Sequence, residues 1–114
     1  MVLSEIADLC AKFELDQVQI DAYCKSSEIS EYQLFDDLAK YIAHGYAKNQ
    51  LTFEFCDAVI NEVWRMSETD LSNYAYSVYS AFDQGEFYRL SDTKDVEPHE
   101  IYTRPLINQI IANE

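Results

Sequence analysis

The stretch TFEFCDAVINEVW, residues 52–64, decides the fold. Its apolar residues Phe55, Cys56, Val59, Ile60, Val63 and Trp64 recur at intervals of three and four. That spacing lays them along one stripe of a helix, whereas a strand would scatter them over both faces. Thr52 stands where an N-cap oxygen is needed, and Leu51 is placed to pack back on Cys56 as a hydrophobic staple. A helix this amphipathic must cover its stripe with other elements, so it is expected at the centre of a bundle.

Helical signals continue on both sides. Upstream, Ser30 and Gln33 read as a capping box ahead of Leu34, Phe35, Leu38, Tyr41, Ile42 and Tyr46. Gly45 falls near the end of that run, where a glycine is expected to cost little, and KNQLT, residues 48–52, is a tight connection. Ser4 is a candidate cap for a first helix carrying Ile6, Leu9, Cys10 and Phe13. Asp16 with Gln19 is a second start signal before Ile20, Tyr23 and Cys24, which leaves open one bent helix or two short ones. Downstream, Ser67 and Asp70 open a helix over about 70–83 with Leu71, Tyr74, Ala75, Val78, Tyr79 and Phe82 on one face, and Gly85 is its expected stop. Residues 86–100 lack periodicity and read as a loop with a helical turn near Pro98. A last helix is expected from about Thr103, with Pro105 in its first turn and Leu106, Ile107, Ile110 and Ile111 facing inward. Only 2 Gly and 2 Pro occur in 114 residues, too few for a turn-rich β architecture. The expectation is all-α: a single domain over residues 1–114, one compact bundle of five or six short-to-medium helices.

Charge limits the partners. Asp and Glu number 21 against 8 Lys and Arg, a formal net charge of −13. Such a chain repels phosphate backbones and anionic lipid, so neither nucleic acid nor a membrane surface is an expected partner, and a basic protein is the electrostatic complement. Two regions hold most of the excess. Residues 14–37 carry Glu14, Asp16, Asp21, Glu28, Glu31, Asp36 and Asp37 against Lys25 alone; residues 83–100 carry Asp83, Glu86, Asp92, Asp95, Glu97 and Glu100 against Arg89 and Lys94.

No catalytic or metal motif emerges. Cys10, Cys24 and Cys56 are odd in number, widely spaced and without a CxxC pair, so they read as small core side chains rather than disulfide or zinc ligands. The two histidines, His44 and His99, belong to no HExxH or HxH pattern and are expected in exposed or capping roles. SDTKDVEPHE, residues 91–100, is rich in oxygen ligands but lacks the alternation and the glycine of a calcium loop, so a solvated acidic loop is expected. Adjacent Asp36 and Asp37 point about 100° apart on a helix and cannot share a proton; a solvated face is expected for them. No catalytic residue, cofactor or metal is therefore assigned. MVLSEIADLC has no basic segment followed by a long apolar run, and no apolar stretch nears the ~20 residues of a membrane span; a reducing cytoplasm is the expected compartment.

Acids and rings coincide in YAYSVYSAFDQGEFYRLSD, residues 74–92. Most of these rings are expected to fill the bundle, but Tyr76 leaves the inward face of its helix and Tyr88 adjoins Phe87 beyond the bend. Tyrosines of this kind are favoured anchors of protein interfaces. The candidate partner-binding residues are Tyr76, Asp83, Glu86, Tyr88, Asp92, Asp95 and Glu97.

Over residues 38–111, a helix, a tight turn at Leu51–Thr52, a helix containing Phe55, an acidic aromatic segment and a closing helix follow one another. That order resembles the bacterial helical immunity proteins that neutralise colicin-type or contact-dependent growth-inhibition toxins. The resemblance implies capture of a basic toxin domain, often a nuclease, through complementary charge; it transfers no interface residue by position. Two other classes stand beside it: a helical adaptor or regulatory subunit gripping its partner in an apolar groove, and a carboxylate-rich metal-dependent enzyme.

Overall fold

A computed structural model describes all residues, 1–114. It contains six helices and no strands: α1 Leu3–Ala11, α2 Gln17–Ser27, α3 Glu31–Ala47, α4 Phe53–Ser67, α5 Asn73–Gln84 and α6 Pro98–Ala112. No helix is long and apolar enough to cross a membrane. Four helices begin at a side chain that accepts the N–H three residues on: Asp16 from Gln19, Ser30 from Gln33, Thr52 from Phe55 and Ser72 from Ala75. Each satisfies one of the free donors that any helix start exposes. The Asp16 cap is reciprocal, because Gln19 accepts the Asp16 N–H at 2.9 Å, and it starts α2 as a helix separate from α1.

Several expected boundaries move. Ser4 lies inside α1, whose N-cap is Val2; Glu5 accepts the Val2 N–H at 2.9 Å. Ser67 ends α4 rather than opening α5, and Ser72 is the cap. The largest correction is α6, which begins five residues before Thr103, with Pro98 at its first position and Pro105 in its interior. An interior proline forfeits a backbone hydrogen bond, a cost of about 3 kcal/mol in a free helix. Tertiary contacts hold the extra turn in place. The Tyr46 hydroxyl lies 2.8 Å from His99 Nδ1, and Phe53 stacks on the His99 ring at 4.6 Å. Arg104 lies over the Tyr46 ring and donates to the Tyr46 carbonyl at 3.2 Å and to Asn49 Oδ1 at 3.0 Å. His99 is thus a packed anchor between α6 and the α3–α4 turn, and not an exposed loop residue.

The core draws on all six helices, with Phe35, Tyr46 and Phe82 the largest enclosed side chains. As its spacing predicts, α4 lies centrally, packed against α1, α3 and α5. Both glycines owe their places to close approach. A Cβ on Gly45 would lie 2.4 Å from Leu51 Cδ1, so that position is far from free to vary. A Cβ on Gly85 would meet Thr103 Oγ1 at 1.9 Å, where that fully buried hydroxyl donates to the Ala81 carbonyl at 2.7 Å. By contrast α2 packs chiefly on α3 and buries only Ile20.

Candidate functional site

The outer flanks of α4 and α5 meet along one ridge. On α4, Asp57, Asn61 and Trp64 are separated by four and three residues and share a face; on α5, Tyr76, Tyr79 and Asp83 do the same. Trp64 stacks on Tyr79, with ring centroids 4.4 Å apart and planes 10° from parallel, and Tyr76 leans on Trp64 at 5.9 Å. Tyr76 is 54% exposed, as its departure from the inward face predicts. Tyr79 and Trp64, read from spacing as core residues, are half-buried at the rim instead. Spacing locates a stripe but not its edges, so it cannot tell a rim ring from a central one.

One turn further along the ridge the aromatic surface gives way to carboxylates. Asp57 faces Glu86 within hydrogen-bonding reach, with Asp83 beyond. Its Oδ1 is fully enclosed and has no donor. The nearby Asn61 amide donates to the Asp57 backbone carbonyl at 2.8 Å. Burial first, then the Glu86 carboxyl and the Asp83 charge, push the Asp57 carboxyl up to about 7, with the Asn61 amide opposing. The Tyr79 hydroxyl is raised as well, through burial and then through Asp83 and Glu86. This end of the ridge holds concentrated negative potential beside π-faces, the two features that attract an ammonium or guanidinium group.

The other expected site residues form a second group in the segment after α5. Partial burial and then the carboxylates of Glu97, Asp95 and Asp92 raise the Tyr88 hydroxyl, so these four side chains are neighbours. Two of them are engaged with the fold. Asp92 accepts the Tyr102 hydroxyl at 2.5 Å and the Arg89 N–H at 2.8 Å, and these donors hold its carboxyl below the usual range. Asp95 accepts the Thr93 hydroxyl at 2.6 Å. Glu97 is the exposed N-cap of α6 and makes no side-chain cap bond. The seven expected residues thus divide: Tyr76, Asp83 and Glu86 on the ridge, Tyr88, Asp92, Asp95 and Glu97 in the following segment. Glu86 and Tyr88 lie two residues apart, so the groups adjoin along the chain.

Asp57, Trp64 and Tyr79 were not among the expected site residues. Their only signal is the four-and-three spacing on the flank of the α4 stripe, which gains meaning once α5 is known to lie alongside. Other polar clusters are structural. His44 lies 2.9 Å from the Glu114 carboxylate, which also accepts the Tyr74 hydroxyl. Asp36, expected to be solvated, accepts from Ser72 at 2.6 Å and pairs with Lys40 at 3.2 Å. Cys10 and Cys56 are buried, Cys24 is partly so, and none is paired. No group of three or more His, Cys, Asp or Glu side chains is placed to hold a metal ion. Comparison with protein-family models, curated proteins and solved structures finds no match for this chain.

Proposed function

We propose that this protein is a binding module that captures a basic protein partner, acting as an immunity protein against a toxin domain. One observation carries the reading: the ridge joins Trp64, Tyr76 and Tyr79 to Asp57, Asp83 and Glu86. Carboxylates steer a cationic partner into encounter, and desolvated rings slow its departure. A toxin that cleaves nucleic acid carries the basic cleft that such a surface complements, and the formal charge of −13 adds long-range attraction. The chain then needs no catalytic group or cofactor of its own. Three unpaired cysteines suit a reducing cytoplasm, where a producing cell must protect itself.

The test begins with any secreted protein encoded beside this chain that ends in a basic domain. Expressing that domain should arrest growth, and co-expressing this chain should restore it. Changing Asp83→Asn, Glu86→Gln and Asp92→Asn together should weaken the complex at least tenfold at low salt and flatten its salt dependence. Binding unchanged by the triple substitution would overturn the reading.

An adaptor role has its own supporting feature. A groove of about 280 Å³ between α5 and α6, lined by Tyr76, Ala81, Leu106 and Ile110, continues from the aromatic end of the ridge. A partner seated there would bind with an affinity nearly indifferent to salt.

A further inference from the structure

The docking reading treats the carboxylates of the ridge as fixed charges, yet Asp57 is placed where its charge is conditional. Its Oδ1 is sealed from solvent without a donor, and a buried acceptor in that condition is unstable as an anion. The groups that bear on it are Glu86 and Asp83, with Tyr79 sharing the same face; its chain neighbour Cys56 is a buried thiol. Neither α1 nor α3 brings a charge to it, and no lysine, arginine or histidine is paired with it. Burial and the nearby Glu86 carboxyl, with no cation to offset them, favour the protonated form of Asp57.

We infer that docking of a partner's guanidinium or ammonium group on the Asp57–Glu86 pair expels this proton to solvent, so that capture strengthens as pH rises. The inference rests on the docking reading above. The incoming cation supplies the positive charge that the free protein lacks there, which favours both carboxyls as anions. The proton leaves Asp57, both groups then face the cation, and no other bond is made or broken. Exposed Asp83 and half-buried Glu86 offer the approach, with the Trp64–Tyr79 stack beside them as a π-surface. The Asp57 carboxyl is pushed up to about 7, so the coupling operates in the physiological range.

Two measurements test it. In the free protein, carboxyl carbon NMR should show Asp57 titrating near 7; titration in the ordinary range for an aspartate would overturn the inference whatever the protein binds. In the second, octa-arginine serves as the probe, with calorimetry at constant ionic strength at about pH 5.5 and about pH 8, in buffers of different ionisation enthalpy. The wild type should bind roughly tenfold more tightly at the higher pH, releasing part of a proton at about pH 5.5 and almost none at about pH 8. Asp57→Asn, which removes the titrating carboxyl, should bind with little pH dependence and release none, whereas Glu86→Gln, which leaves Asp57 buried, should release less than the wild type. Asp21→Asn on α2 should behave as wild type. Binding without proton release, or release undiminished in Asp57→Asn, would overturn the coupling and leave the docking reading standing. Absence of any binding by the wild type would overturn both.

Discussion

The two acidic regions differ less in charge than in what lies beneath them. Residues 14–37 carry seven acids and residues 83–100 carry six, yet only the second adjoins a gathered site. In the first, the acids are spread over α2, α3 and the turns beside them, and they accept from separate donors. Asp16 caps α2, Gln17 donates to Asp21 at 2.8 Å and to Glu31 at 2.7 Å, and Asp36 holds Ser72. The first helix of this region, α2, buries only Ile20. In the second, Asp83 and Glu86 leave a tightly packed helix beside α4, and Asp57 joins them from outside the acidic stretch. Acidity in a chain becomes a site only where packing brings the groups together in a partly desolvated place.

The widest difference should appear in stability. Phe82 is fully enclosed behind the second region, and Phe82→Ala should cost about 3–5 kcal/mol in denaturant unfolding, loosening the ridge with it. Ile20 is the one fully buried residue of α2, and Ile20→Ala should cost about 2 kcal/mol, with amide exchange accelerated first along Gln17–Ser27. Equal costs and uniform exchange would erase the contrast between the two supports.

Next in size is the pH dependence of Asp57. Its carboxyl is raised from 3.8 to about 7, so the native state keeps a proton that the unfolded chain releases. This contribution is therefore full below about pH 4, declines as pH rises towards 7, and is lost above. Asp57→Asn should be more stable than wild type near pH 8 by about 1–2 kcal/mol, a figure reduced for the half-open position of the group, and should lose the advantage near pH 4. Parallel pH–stability curves for the two proteins would refute the buried-pair geometry. The smallest effect lies at the turn that leads into the first region. Phe13 ends α1 in the left-handed conformation at φ 58° while 69% exposed, a position where glycine is favoured and little packing is at stake. Phe13→Gly should raise the melting temperature through a gain of about 0.5–1 kcal/mol. A loss of that size would mean that the exposed ring supports α2.

Much of the architecture could be read from residue spacing. The stripes of α3, α4 and α5, the caps at Asp16, Ser30 and Thr52, and the outward turn of Tyr76 all follow from interactions between residues three or four apart. The early start of α6 does not, because its added turn depends on Tyr46, Asn49 and Phe53, more than forty residues upstream. The space for Gly45 and Gly85 is likewise set by side chains that reach them only after folding.

The amino-acid order alone determined the helical class, the strong negative charge and which tyrosine of α5 faces solvent, since periodicity and net charge are local or summed properties of a chain. Only tertiary structure decided that Asp57 confronts Glu86, that Trp64 lies on Tyr79 and that His99 is packed. Those pairings depend on how one helix rotates and slides against another, and that is settled by the joint packing of the core.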